Sequence, residues 1–424
     1  MKILFLGAGA VGGYWAAKLT QSGAADVTLL LREKRAEIVR KNGLVVKSPK
    51  GDFTVPVKVV TRGPNDEIGG GPYDVIVLAC KAYDLPSAMD AIAPAVGKET
   101  TIVPMLNGHA HFATLDARFG NEKVAGGLAR ISGMLGPNGE ILHSGASGVS
   151  FGERDGRPPR KALVELDAAC KKAGIDGGLN PNINQDLWDK WLMLGSIASM
   201  CSAMRGTIGD IMAAEDGEAI MNEILEECRK VAAAEGYAPG EKDLSAVRGA
   251  LTQKGAKTVA SILGDIEKSG AIEAHQIVGD MLGRARKHGI AAPNLRFAYA
   301  HLQTYEARRA RGGLEMMSRS HAGLPIQFRS SIVSSGLADP LERSFLSYRE
   351  DLQRRNAKPV ASAPCPMRFE REAPIKGSPD KKVFQWQCER KTPLLIRLLA
   401  SKPRWSPWRR GCMWSPRRLE IFKT

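Results

Sequence analysis

The chain has 424 residues, enough for two or three domains, and its 43% hydrophobic and 25% charged residues exclude wholesale disorder, a collagen-like repeat and a membrane bundle. Its net charge of +15 is uneven: residues 311–424 hold 23 basic and 10 acidic side chains, which leaves the first 310 residues nearly neutral. Seven scattered cysteines, with no Cys-x-x-Cys pair and no histidine at ligand spacing, argue against a disulfide framework or a metal site and fit a reducing, cytoplasmic setting.

Residues 2–6 form a short apolar run stopped by Gly7. Glycines at 7, 9, 12 and 13 punctuate it and no small-residue cleavage site follows, so it reads as a first strand and not as a signal peptide. A helix is expected over 11–21 and a second strand over 27–31, completing a strand–helix–strand unit. Further strands are predicted at 44–47, 53–60, 75–79 and 101–105, interleaved with helices at 33–42, 84–93 and 110–119. That alternation predicts a doubly wound α/β domain. Residues 124–151 read as β-rich, with Gly136-Pro137-Asn138-Gly139 as a hairpin turn. From about 184 the spacing becomes helical, with segments at 184–204, 208–235, 242–268, 271–288 and 294–309, the first rich in Trp, Met and Leu and expected to be buried. Beyond about 312 periodicity is lost, and the 11 prolines and 4 tryptophans of residues 311–424 predict a disordered basic tail. No run is long and apolar enough to span a membrane. The expected domains are 1–178, 179–310 and that tail.

Gly7-Ala8-Gly9-Ala10-Val11-Gly12 matches G-x-G-x-x-G directly after a strand and at the start of a helix. The first glycine permits a tight turn, the second lets backbone approach a pyrophosphate, the third allows close helix–sheet packing, and the helix N-terminus attracts the anion. This is the pattern of a Rossmann-type dinucleotide site. At the end of the second strand an acidic residue would bind a free ribose 2′-hydroxyl. The chain instead has Arg32, with Lys34 and Arg35 just beyond, which favours a 2′-phosphate and hence NADP. Lys81 and Asn107 follow later strands, at the end of the sheet where ligands of open α/β folds lie. Lys190 stands among Leu187, Trp188, Trp191, Leu192 and Leu194, so its ammonium either snorkels to water or is desolvated with a shifted pKa.

Over about residues 1–309 the chain resembles the ketopantoate reductases, also called 2-dehydropantoate 2-reductases. The resemblance is carried by the glycine motif, Cys80-Lys81-Ala82, Leu106-Asn107-Gly108, Trp188-Asp189-Lys190, Ser261-Ile262-Leu263-Gly264-Asp265 and Ile272-Glu273-Ala274, in this order. It implies a Rossmann-type domain followed by an all-helical one, NADPH-dependent reduction of a small 2-keto acid in the pantothenate pathway, and a homodimer as one assembly. It further implies Lys81 and Asn107 at the cofactor, Asn107 also at the substrate, and Lys190 as general acid. Glu273, catalytic and substrate-binding, would pair with or orient Lys190 and the substrate hydroxyl, Ser261 would hydrogen-bond the substrate, and Asp265 would cap or brace the site. His275 reads as a surface or supporting side chain.

The chain departs from that family where substrate-binding asparagines are expected: Leu194, Ala198 and Thr258 occupy those positions. An apolar replacement leaves substrate hydroxyls unpaired, at a cost on the order of 1–3 kcal/mol each, so ketoreductase chemistry is better supported than ketopantoate itself. Two alternatives stay open: a related dehydrogenase acting on another carbonyl or imine, and a catalytically silent NADP-binding sensor. The Arg and Trp of the tail raise nucleic-acid binding, but no recognition module accompanies them.

Overall fold

The computed structural model of the chain describes residues 1–62, 68 and 71–312, together with three strands beyond them. Met1–Gly323 and Leu324–Thr424 are separate compact units. In the first, β1 (Lys2–Leu6), β2 (Asp26–Leu30), β5 (Lys58–Val60), β6 (Val75–Leu78) and β7 (Thr101–Pro104) form an all-parallel sheet of order β5-β2-β1-β6-β7. The period of two puts Ile3, Phe5, Leu29, Val75, Val77 and Val103 into one core, and Leu4, Leu30, Ile76, Leu78 and Ile102 into another on the opposite face. Burial on both faces is why these strands read as continuous apolar runs.

A second sheet takes β3 (Leu44–Lys47), β4 (Phe53–Val55), the long hairpin β8 (Gly126–Leu135) and β9 (Ile141–Gly152), and β10 (Gly177–Leu179). Helix α1 (Ala10–Gln21) packs between the sheets. Fully buried Trp15 meets Phe5 of β1 edge-on at 5.3 Å and stacks on Phe151 of β9 at 6.2 Å. The single strand expected over 53–60 is two: β4 pairs antiparallel with β3, whereas β5 joins the parallel sheet beside β2. Pro56 between them lacks the N–H that a continuous ladder needs. Helix α5 (Lys161–Lys172) and β10 are elements the sequence pattern did not announce.

The helical half begins with α6 (Ile183–Met204), whose Trp188, Trp191, Leu192 and Ile197 enter a core shared with α8 (Gly217–Ala234), α10 (Ser261–Glu267) and α12 (Pro293–Ala310). The expected helix over 208–235 is two, α7 (Ile208–Met212) and α8, and at the start of α8 Gly217 comes so near the Ile211 carbonyl that a side chain there would collide with it. The segment expected over 242–268 is likewise split, into α9 (Glu241–Leu251) and α10. Residues 271–288 contain a π-helical turn, His275–Gly279, before α11 (Asp280–Lys287). No helix among the described residues is long and apolar enough to cross a membrane. In the second unit β11 (Met367–Ile375), β12 (Ser378–Cys388) and β13 (Ala400–Ser401) form an antiparallel sheet. The rest of the segment for which disorder is expected lies outside the described residues.

Gly12 is held by space. A Cβ there would stand 2.5 Å from the Gly7 carbonyl oxygen and 2.6 Å from Cβ of Ala79, whereas one on Gly9 would meet nothing within 4 Å. Gly12→Ala is therefore expected to lower unfolding stability by about 1–3 kcal/mol in urea titration. Gly9→Ala should leave stability within about 0.5 kcal/mol of the parent.

Candidate active site

The glycine loop, Arg32, Lys81 and Asn107 all follow the carboxyl ends of parallel strands, β1, β2, β6 and β7 respectively. No side chain caps α1 at Gly9, so its dipole and first amides are available to an anion. Half-buried Arg35 donates to the carbonyls of Ala8 at 3.0 Å and Gly139 at 2.6 Å, fastening the glycine loop to the hairpin turn. Burial pulls its pKa down without making it neutral. Arg32 is exposed and ion-paired with Asp84, Nη2 to Oδ1, at 2.6 Å.

Lys81 joins the two halves of the first unit. Its Nζ lies 3.0 Å from Asp265 Oδ2 and 3.3 Å from Glu273 Oε2, while the Ala82 amide donates to Glu273 Oε1 at 2.9 Å. The Glu273 side chain is only 5% exposed. Desolvation alone would lower the Lys81 pKa, but Glu273 and Asp265 outweigh it and hold the ammonium above its ordinary range. The direct partner of Glu273 is thus Lys81, a correction to the expected pairing with Lys190. Asp265 braces that ion cluster.

Lys190 sits on α6 with neutral acceptors only. Its Nζ donates to Asn107 Oδ1 at 3.1 Å and to the Ala129 carbonyl at 2.8 Å. The residue as a whole is half-buried, yet protein surrounds the ammonium densely enough that desolvation, reinforced by Arg130, lowers its pKa to about 8 against the opposing pull of Glu273 and Asp186. Arg130 on β8 is itself ion-paired with Asp186. Ser261, the first residue of α10, is exposed, and its hydroxyl makes no hydrogen bond among the described residues.

Two family models match the chain: "Ketopantoate reductase PanE/ApbA" over residues 3–156 and its C-terminal counterpart over residues 182–306. The chain belongs to the ketopantoate reductase family. It is an oxidoreductase of the ketopantoate reductase type. It is 34% identical over 313 residues to the uncharacterized oxidoreductase YkpB of Bacillus subtilis, covering 73% of this chain and all of that protein. A 2-dehydropantoate 2-reductase of Mesorhizobium japonicum is 29% identical, over 54% of this chain and 76% of that protein. The crystal structure of 2-dehydropantoate 2-reductase from Geobacter metallireducens superposes with a TM-score of 0.66 at 28% identity, covering 72% of this chain and 99% of that one.

Several side chains of the cleft carried no signal in the sequence. Gln276, in the π-helical turn, donates to the Asn107 carbonyl at 2.8 Å and pairs with His111 Nδ1 at 2.9 Å. The turn is anchored to α6, where the Trp191 indole donates to the Ile277 carbonyl at 2.9 Å. Gly108 has φ +74°, and a Cβ there would run into the Gln276 carbonyl. The glycine after Asn107 was the one available hint of so close an approach. His275 is exposed and meets the Tyr299 hydroxyl at 3.3 Å.

His109 lies against Trp188 and Trp191 at ring separations of 4.7 and 5.0 Å, and burial holds both His109 and His111 down to about 3. The folded chain therefore binds fewer protons than the unfolded one between about pH 3 and 6.5, so acidification through that window lowers stability by up to about 1.4 kcal/mol per pH unit for each histidine. The urea midpoint should fall from pH 6.5 to 5, and His109→Phe should flatten that fall.

Proposed function

We propose that this chain reduces a small 2-keto acid to the 2-hydroxy acid with NADPH, with 2-dehydropantoate, on the route to pantothenate and coenzyme A, as the first substrate to test. The observation that carries the reading is Lys190: a desolvated lysine with a pKa of about 8, hydrogen-bonded to Asn107 at the carboxyl end of the parallel sheet. An acid of that strength is largely protonated at neutral pH and gives up its proton readily.

The fit of a pyridine dinucleotide rests on the uncapped start of α1 and the free space over Gly9, with Gly7, Ala8, Gly9, Ala10, Val11 and Gly12 as the cradle and Arg32, Lys81 and Asn107 as further contacts. When bound, the reduced nicotinamide supplies a hydride to the carbonyl carbon. Lys190 donates its proton to the carbonyl oxygen and stabilises the negative charge gathering there. Asn107, gripped by Lys190 through its side chain and by Gln276 through its carbonyl, orients the ammonium. Glu273 acts through Lys81, holding the loop after β6 against the helical half, and Ser261 offers an unengaged hydroxyl to the substrate. Leu194, half-buried one turn beyond Lys190, and buried Ala198 present no polar group, which brings keto acids with apolar 2-substituents into the same test.

Lys190→Ala should lower kcat for the best 2-keto acid by roughly 10²–10⁴ with NADPH affinity nearly unchanged. In the parent, kcat/KM for reduction should fall as pH rises through about 8, where the acid loses its proton, and hydroxy-acid oxidation should rise over the same range. A Lys190→Ala enzyme within threefold of the parent would defeat the mechanism. For the cofactor, NADPH should bind about tenfold more tightly than NADH, and Arg32→Asp should erase the difference. Equal affinities in the parent would remove the basis for NADPH.

A further inference from the structure

Three cations stand just after β2, yet they are not equally free to meet a ligand. Arg35 is committed to the carbonyls of Ala8 and Gly139 and cannot leave without releasing the glycine loop. Lys34 is exposed on the first turn of α2 (Glu33–Asn42), and the neighbouring Glu33 is taken by Arg40 at 3.0 Å. Arg32, whose side chain is 77% exposed, is engaged by one group, the Asp84 carboxylate at 2.6 Å. Asp84 comes from a different strand end: it closes the short 3-10 turn Ala82–Asp84 after β6 and precedes α3 (Leu85–Ile92).

Asp84 has no capping duty at that helix start, since its side chain accepts no hydrogen bond from the helix. Its turn is closed by backbone, the Asp84 amide donating to the Lys81 carbonyl at 2.9 Å. Arg32 is the partner shown for its carboxylate, reached across 52 residues of sequence. So exposed a pair adds little to stability, which leaves the contact easily exchanged for a ligand anion.

We propose that Asp84 limits the discrimination between NADPH and NADH, as the resident counterion that a ribose 2′-phosphate must displace from Arg32. This rests on the NADPH reading above. A 2′-phosphate approaching Arg32 meets a like charge on Asp84 and competes with it for the same guanidinium edge. A free 2′-hydroxyl meets no such repulsion, and the carboxylate can accept a hydrogen bond from it. Asp84 therefore narrows a preference that Arg32 creates.

The test measures dissociation constants of NADPH and NADH, by nucleotide fluorescence, for the full chain and for Asp84→Asn, Asp84→Ser, Arg32→Ala and the Asp84→Asn/Arg32→Ala double variant. Both Asp84 variants should raise the NADPH-to-NADH affinity ratio about fivefold or more, and the double variant should lose that gain. An unchanged ratio, with both nucleotides weakened alike, would reduce Asp84 to a structural residue and overturn the inference while the NADPH reading stood. A gain that survives in the double variant would also overturn it. NADPH affinity indifferent to Arg32→Ala would sink the cofactor reading first and this inference with it.

Discussion

A carboxylate that is almost sealed from water, Glu273, spans the gap between the loop after β6 and the helical half, and it tolerates burial because both of its oxygens are occupied. One accepts from the Ala82 amide and the other faces the Lys81 ammonium, which Asp265 shares. Lys81 itself is half-exposed, so the cost of breaking the contact falls on Glu273, whose buried carboxylate would be left without its cation. The cleft is consequently held at a set width by charges that neither half satisfies alone. Asn107 and Gln276 add a second tie, and the left-handed backbone at Gly108 lets the two loops approach.

Two lysines face this cleft and are driven in opposite directions. Lys81 lies between two carboxylates that outweigh its desolvation and keep it firmly charged. Lys190 has a side-chain amide oxygen and a main-chain carbonyl as partners, with Arg130 close by, so nothing repays the loss of water in full and its pKa descends to about 8. The environment alone separates an ammonium held charged from one that gives up its proton more readily. The π-helical turn serves the same end. It brings Gln276 to Asn107 and leaves a carbonyl, that of Ile277, for the Trp191 indole on the helix that carries Lys190.

The parallel α/β half, the helical half and the glycine loop were legible in the linear pattern, because strands buried on both faces read as apolar runs and amphipathic helices repeat every three to four residues. Lys81, Asn107 and Lys190 were legible as well, through their positions after strands or among apolar neighbours. Local pattern also misled. It joined 53–60 into one strand across Pro56, ran helices through 213–216 and 252–260, and missed α5 and β10. Which sheet a short strand enters depends on the surfaces waiting for it, and no window of a few residues contains those.

The amino-acid sequence by itself determined the kinds of element, their order and the chemical types available to the cleft, since these follow from side-chain size, polarity and spacing along one chain. Only the tertiary structure decided which charges meet. That Glu273 belongs to Lys81, that Arg32 belongs to Asp84 and that Lys190 is left with neutral partners are facts about residues 192, 52 and 83 positions apart. Electrostatic energies depend on distance through space and on exclusion of water, and both come into being only when the chain has folded, within the α/β half for Arg32 and Asp84 and between the halves for the others.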